Sequence, residues 1–403
     1  MSGKTLNVAL VGTGFMGRTH SNAYLKAPKF FDLPIEPVMH SIVSRNPQAV
    51  APFARKWGWQ RWDQSWQEAC SDPQVGLVDL GTPNHLHAEH AICALEHGKH
   101  VACEKPLAGT LDDARAMAKA AKKARRKNIS TSVWFVYRRV AAVALAHQMV
   151  QAGKLGRIYH VRAAYLQDWG GPDTPLLWRF KGKEAGSGAH GDLNAHIIDM
   201  ARFITGDEFS EIAGAIEETF IKKREIIEDT SSGGAISGKG AKKSTKKRYG
   251  KSTVDDAVLF LARFKGGAIG SFEATRLGTG GKNANRIEIH GEKGALRYDF
   301  ERMNELDWYD NTLPPAEQGW STIHVTRNGA GHPYVDAWWP DGHGLGYEHG
   351  FINQVADMMN VIAGQPPVVP LPDFEDAYQT QRVLEAAIQS ARNRCPVPMS
   401  QVK

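Results

Sequence analysis

An apolar run, Leu6-Asn7-Val8-Ala9-Leu10-Val11, passes directly into Gly12-Thr13-Gly14-Phe15-Met16-Gly17, and no other feature constrains the fold as strongly. The run has the pattern of a buried strand, and the glycines after it open a helix. In a strand-turn-helix of this kind the first glycine permits a tight turn and the second lets backbone amides approach a pyrophosphate. The third lets the helix pack closely on the strand, with the helix N-terminus facing the anion. The chain has 40 glycines, so the triplet alone would carry little weight. Its place between strand and helix makes it a dinucleotide site.

The following segments extend that reading into a fold class. Glu36 to Val43, Val75 to Leu80, His100 to Cys103 and Ile129 to Val133 are short apolar strands, separated by the helix-like Pro47 to Trp57, Leu86 to Gly98 and Leu111 to Lys127. Alternating strands and helices imply right-handed crossovers and a doubly wound parallel sheet of Rossmann type. From Ile158 the strands follow one another with only turn residues between them: Ile158 to Gln167, Ser210 to Ile221, Val254 to Phe264, Gly267 to Thr275, Asn285 to His290 and Ala295 to Phe300. That spacing predicts a large, mostly antiparallel open sheet. Helices are expected over Asp192 to Ile204, Glu348 to Ile362 and Phe374 to Arg394. The chain therefore divides into a dinucleotide-binding α/β domain over 1–134 and an α+β substrate-binding and oligomerisation domain over 135–403.

Composition excludes several function classes. No apolar run approaches the ~20 residues of a membrane span, and the first apolar segment is a strand rather than a signal-peptide core, so a cytoplasmic protein is expected. Cys70, Cys93, Cys103 and Cys395 have neither metal spacing nor disulfide density. The net charge of +6 is local, because Lys239, Lys242, Lys243, Lys246, Lys247, Arg248 and Lys251 lie together with no acid among them; without those seven charges the chain stands at −1. This Ser-, Gly- and Lys-rich stretch reads as a mobile basic insertion over 229–253. It has one aromatic, Tyr249, and no recognition motif, so no nucleic-acid partner is expected.

The chemistry-bearing residues gather at strand ends. Glu104-Lys105-Pro106 ends the strand His100 to Cys103 at the carboxyl edge of the parallel sheet, where such folds bind ligands. Thr82-Pro83-Asn84-His85-Leu86-His87 ends the strand before it. His85, His87 and His90 lack carboxylate or cysteine partners at ligand spacing, so no metal is expected. A glycine-rich approach, Gly186-Ser187-Gly188-Ala189-His190-Gly191, leads to Asp192 and His196, four apart on one helical face. A histidine there can exchange a proton near neutral pH.

These motifs, in this order and over nearly the whole chain, resemble the glucose–fructose oxidoreductase/inositol dehydrogenase family. Longer phrases, Tyr137-Arg138-Arg139, Tyr165-Leu166-Gln167-Asp168-Trp169, Trp178-Arg179-Phe180 and His196-Ile197-Ile198-Asp199, resemble the family members that act on levoglucosan-like sugar rings. The resemblance implies Lys105, Asp192 and His196 as the catalytic set, a substrate cleft between the domains, and a homo-oligomer, dimer or tetramer, formed through the open sheet. The activity it implies is hydride transfer between a ring secondary alcohol of a sugar and nicotinamide; an inositol dehydrogenase or keto-sugar reductase is the alternative, and a non-catalytic sensor a further one. In the mechanism expected, His196 is the base, Lys105 its electrostatic partner, and Asp192 orients the histidine or accepts a bond from a neighbouring hydroxyl. Gly12, Gly14, Phe15, Met16, Gly17, Ser44, Arg45, Thr82, Asn84, His87, Glu104 and Lys105 are the cofactor-binding candidates. Tyr137, Gln167, Trp169, Trp178 and Arg179 are the sugar-facing ones, since aromatic faces pack on sugar CH groups while polar heads bond hydroxyls. The second strand ends in Ser44-Arg45-Asn46 rather than an acid. An arginine there holds a 2′-phosphate or stacks on adenine, so the cofactor expected is NAD(P), leaning to NADP.

Overall fold

The computed structural model describes residues 4–227 and 247–403. Strands β1 (Thr5–Val11), β2 (Glu36–Val43), β3 (Arg61–Asp63), β4 (Leu77–Leu80), β5 (His100–Cys103) and β6 (Thr131–Val133) form a sheet in the order β3-β2-β1-β4-β5-β6. Every pairing in it is parallel. The strand order reverses between β1 and β4, which opens a crevice beyond their carboxyl ends. Helices α1 (Phe15–Phe30), α2 (Pro47–Trp57), α3 (Trp66–Ser71), α4 (His87–Glu96) and α5 (Leu111–Arg125) link the strands. Their ends are written locally. Asn46 accepts from the Gln48 and Ala49 amides to cap α2, which stops at the left-handed Gly58. Thr110 caps α5, whose Asp112 and Asp113 sit in the first turn and Lys122, Lys123 and Arg125 in the last, matching the helix dipole.

The chain continues through α6 (Ala141–Gln151), β7 (Ile158–Leu166), the short α7 (Gly182–Ala185) and α8 (Ala195–Thr205). Next come β8 (Phe209–Glu218), β9 (Lys223–Glu225), β10 (Tyr249–Lys251), β11 (Ala257–Phe264) and β12 (Ile269–Thr275). The remaining elements are β13 (Ala284–Gly291), β14 (Gly294–Asp299), β15 (Glu305–Asp310), β16 (Trp320–His324), α9 (Tyr347–Ile362), α10 (Phe374–Asn393) and β17 (Val397–Pro398). Among the described residues nine strands form the second sheet, in the order β16-β15-β14-β13-β7-β12-β11-β8-β17. Only β7 and β12 pair in parallel; the rest are antiparallel, as the strand spacing predicted. Along β11 the burial alternates, with Val258, Phe260, Ala262 and Phe264 buried while Leu259 and Leu261 face out. The buried side packs on α8, which packs in turn on α6.

Several elements escaped the sequence reading. Strands β15 and β16 lie at the rim of the sheet, where half-exposed polar residues blur the alternation. Helix α6 begins Ala-Ala-Val-Ala-Leu-Ala, apolar on all sides, so it carries no 3.6-residue stripe. Of the basic insertion expected over 229–253, residues 229–246 lie outside the described residues. Its end is a strand, β10, paired antiparallel with β9.

The two sheets are joined through a shared core. Helix α9 packs on α1, and α10 packs on α5 and on β8, so the C-terminal helices reach back across the junction at Trp134 to Tyr137. Two consecutive arginines anchor this junction. Arg138 meets Asp199 and Asp376, both at 2.5 Å. Arg139 meets Asp357 at 3.2 Å, with neither side chain exposed, and donates to the carbonyls of Val369 and Pro370. Removing one member of such a pair leaves an uncompensated buried charge. Asp357→Ala is therefore expected to cost about 3–5 kcal/mol of unfolding free energy, read from the denaturant midpoint at unchanged slope.

Candidate active site

A cleft of about 1130 Å³ runs from the carboxyl edge of the first sheet to the buried side of the second. At one end lies the glycine turn. Gly12 has φ +122°, and a Cβ there would stand 2.6 Å from the Gly81 carbonyl oxygen. A Cβ on Gly17 would stand 2.2 Å from the Gly12 oxygen, so this residue lets α1 press against the turn and does not itself line the cleft. Nothing lies within 4 Å of the Cβ position of Gly14, which is the N-cap of α1. This open space lies at the start of α1, where first-turn amides have no partner within the helix, as a pyrophosphate requires. Thr82 Oγ1 on the same wall is buried with no hydrogen-bond partner. An open cradle at a helix N-terminus and an orphaned hydroxyl beside it fit a dinucleotide.

Phe15, Met16, Ser44, Arg45, Asn84 and Glu104 also line the cleft. Ser44 accepts from Thr13 Oγ1 at 3.3 Å, and Asn84 Nδ2 donates to the Ala185 carbonyl at 2.8 Å, tying the first sheet to the loop before the catalytic candidates. Arg45 is exposed at the end of β2, while its neighbour Asn46 is spent on capping α2. His87 departs from expectation. Its ring is fully buried, between the Thr82 carbonyl at 2.9 Å and those of Pro106 and Leu107 at 3.2 Å, and it does not reach the cleft. It braces the two strand-end loops against each other, and burial pushes its pKa down.

Glu104-Lys105-Pro106 stands on a buried charge network that motif reading missed. His20, on α1, meets Asp79 at 3.0 Å through Nδ1 and Glu104 at 3.0 Å through Nε2. Tyr24 and the Trp134 indole donate to the same Asp79 carboxylate at 3.0 and 2.9 Å, and the Trp134 ring stacks on His20 at 4.1 Å. Burial opposes a charged imidazole, but the Asp79 and Glu104 carboxylates outweigh it and push His20 up to about 9. Glu104 turns its other oxygen to the Lys105 amide at 3.1 Å. The signal was available: an aspartate inside the otherwise apolar strand Leu77–Leu80 requires a buried cation or donor set.

Lys105, Asp192 and His196 converge on the cleft from different elements. Asp192 lies not on a regular α-helix but on a π-helical turn, His190–Asn194, leading into α8. This shifts the register on which the Asp192–His196 pairing was expected, and no hydrogen bond joins the two. Asp192 instead bonds Lys105 Nζ at 2.7 Å through Oδ1 and Arg276 at 2.8 Å through Oδ2. Burial would raise its pKa, but Lys105, Arg276 and Arg179 hold the carboxyl well below the usual range. Arg276 directly follows β12 and lay outside the motif reading. The signal was an arginine ending an apolar strand at the sheet's centre. His196 is held by aromatic edges, 4.6 Å from the Tyr137 ring and 6.2 Å from that of Phe135. Burial first and the Lys105 charge second push its pKa well below 6.5, against the pull of Asp192. The imidazole is therefore neutral at pH 7. Its Nδ1 is buried without a partner.

The opposite wall holds the remaining candidates. Tyr137, Gln167, Trp169, Trp178 and Arg179 all line the cleft, joined by Tyr165 and Asn283. The Arg179 guanidinium lies over the Trp178 ring at 4.5 Å, and that of Arg276 over Trp169 at 5.0 Å. Burial pushes the Tyr137 phenol up to about 12, so it holds its proton at neutral pH.

Comparison with known proteins agrees with this geometry. Residues 6–131 match the family model for the oxidoreductase family with an NAD-binding Rossmann fold, and residues 143–297 match the GFO/IDH/MocA C-terminal domain. The chain is 41% identical over 402 residues to levoglucosan dehydrogenase of Pseudarthrobacter phenanthrenivorans, covering 99% of each chain. A crystal structure of an oxidoreductase domain protein from Kribbella flavida superposes with a TM-score of 0.90 at 47% identity, over 98% of this chain and 99% of that one. A structure of levoglucosan dehydrogenase in complex with NADH and levoglucosan gives 0.88 at 39% identity, over 99% and 100%.

The charged His20 has a consequence for stability. Because its folded pKa lies above the unfolded value of 6.5, its contribution is fully present below pH 6.5 and is lost as pH rises through about 9. Relative to His20→Asn, the wild-type unfolding free energy should fall by on the order of 3 kcal/mol between about pH 6 and pH 10, measured by chemical denaturation of both proteins.

Proposed function

The chain belongs to the GFO/IDH/MocA family of oxidoreductases, and on that premise we propose that it oxidises a ring secondary alcohol of a levoglucosan-like pyranose or glycoside, with NAD as its cofactor. The observation that carries the reading is the convergence of Lys105, Asp192 and His196 on one cleft whose far end is the glycine cradle of a dinucleotide. Residues 1–134 bind the dinucleotide, and residues 135–403 supply the sugar-facing wall.

A bound nicotinamide accepts the hydride; the chain's residues handle the proton and the charge. His196, neutral at pH 7, takes the hydroxyl proton at Nε2, the nitrogen that is not sealed in the core. Lys105 Nζ spends two of its three donors on Asp192, on Oδ1 and on the backbone oxygen at 3.1 Å. The third is free to hold the oxygen as it becomes an alkoxide. Asp192 positions that lysine, and Arg276 helps hold Asp192 ionised, so the carboxylate acts on Lys105 rather than on the histidine. Gly12, Gly14, Thr82 and Glu104 would hold the dinucleotide, and Arg45 at the end of β2 would hold the 2′-phosphate of NADP, extending the cofactor range from NAD to NADP.

The outer side of the second sheet supports self-association. Ile216, Leu259, Leu261 and Ile269 are 40–62% exposed on it, with Ile216 paired to Leu259 across β8 and β11. An apolar sheet face of this kind is covered by a second copy, giving a dimer or tetramer. Four free cysteines suit a reducing cytoplasm.

Two measurements test the proposal. The first is nicotinamide reduction with levoglucosan, glucose, a glucoside and myo-inositol, with NAD and with NADP. Turnover of a pyranose is expected, with kcat/KM at least about 10²-fold lower in His196→Ala and in Lys105→Ala. Because the His196 pKa lies well below 6.5, wild-type kcat/KM should hold level from pH 7.5 down to about pH 6. Arg45→Ala should lower kcat/KM with NADP roughly tenfold and leave NAD unchanged. Silence across the panel despite dinucleotide binding would sink the dehydrogenase. The second is solution mass by light scattering: the wild type should be at least dimeric and Leu261→Arg smaller, and a monomeric wild type would remove the oligomer.

A further inference from the structure

The hydrogen-bond polarity of the sugar-facing wall is set by one indole. Trp169 Nε1 can only donate, and it donates to Gln167 Oε1 at 2.5 Å. Gln167 is thereby left with its nitrogen, which donates to Asn283 Oδ1 at 2.8 Å. The same Asn283 oxygen accepts from the Tyr165 hydroxyl at 2.6 Å. With the Tyr165 proton committed to Asn283, the 2.6 Å contact between the two phenols must run from Tyr137 to Tyr165. Turning either amide round would set N–H against N–H, so the direction of the whole chain follows from the indole. Its two ends differ. Asn283 keeps only the N–H donors of Nδ2, and the Tyr137 oxygen keeps only lone pairs, and both line the cleft.

We propose that this wall selects its sugar by hydrogen-bond polarity: Tyr137 accepts from a substrate hydroxyl, while Asn283 donates to an oxygen that carries no proton, an ether or glycosidic oxygen of the ring system. Asn283 is then a specificity-determining residue, and the proposal rests on the sugar-dehydrogenase reading of the cleft. An anhydro-sugar matches the pattern, because its bridge replaces two hydroxyls with one acceptor-only oxygen. A free hexose offers a hydroxyl at the same place, which a donor tolerates without needing its proton.

Asn283→Asp tests this directly. It has the same shape and still accepts from Tyr165 and Gln167, but it presents an acceptor where the wild type presents a donor. The ratio of kcat/KM for levoglucosan to that for glucose should fall at least about tenfold, since a carboxylate repels an ether oxygen and accepts from a hydroxyl. Tyr137→Phe should lower both sugars alike and leave the ratio unchanged. Deoxyfluoro-levoglucosans complete the set, because fluorine cannot donate. Of the two derivatives that keep the reacting hydroxyl, the one substituted at the hydroxyl facing Tyr137 should be the poorer in the wild type, and in Tyr137→Phe that penalty should vanish. Calorimetric binding of the same sugars to the protein–NADH complex separates the two readings. An unchanged levoglucosan-to-glucose ratio in Asn283→Asp, with turnover intact, overturns the polarity proposal and leaves the dehydrogenase standing. A shifted binding ratio without turnover supports the polarity and overturns the dehydrogenase. Absence of both binding and turnover for either sugar overturns both.

Discussion

Asp192 is shared between two cations, and the arrangement of the cleft depends on that sharing. Lys105 comes from the carboxyl edge of the parallel sheet and Arg276 from the end of β12 in the second sheet, and the carboxylate between them sits on the turn that leads into α8. One anion therefore ties together three elements far apart in the chain, and it does so where solvent still reaches its side chain. Two positive charges on one negative leave the site with an excess of positive charge. That excess favours an anionic oxygen in the cleft and, second to burial, helps keep His196 neutral.

Behind Lys105 lies a second set of charges with a different purpose. His20, Asp79 and Glu104 are buried and ion-paired, with Tyr24 and Trp134 donating to Asp79. A network of this kind is costly unless every member is paired, and once paired it tolerates few alternatives. Its position, under the residue before Lys105, fixes the strand end that carries the lysine. The neighbouring His87 does similar work between the Thr82 and Pro106 loops. Precision at the cleft is thus supplied from the layer beneath it.

The second sheet serves two roles with its two faces. Its buried face packs α8 and contributes Tyr165, Gln167 and Asn283 to the cleft wall, where their hydrogen bonds run in one direction only. Its outer face carries the exposed Ile216, Leu259, Leu261 and Ile269 on β8, β11 and β12 and holds none of the cleft-wall residues. Period-two alternation makes this possible, because successive residues on one strand answer to different partners.

Much of this was legible in the chain. The glycine turn, the alternation of strands with helices and then strands alone, and the placing of Glu104-Lys105-Pro106 at a strand end all follow from local chemistry, which acts over a few residues and leaves a local pattern. Thr82 and Lys105, at the strand ends that pattern marked, line the cleft, as do Tyr137, Gln167 and Trp169. His87 did not, because a histidine at a helix start carries the same local signature whether its ring turns to a ligand or to two backbone carbonyls. The partner of Asp192 was also misjudged: four-residue spacing pointed to His196, but a π-helical turn changes the register and places the carboxylate against Arg276, 84 residues away. By itself the sequence determined the two sheets and the dinucleotide cradle. Tertiary structure alone decided which charge meets which, and which way each hydrogen bond points. Those outcomes depend on groups distant in the chain competing for the same few oxygen atoms.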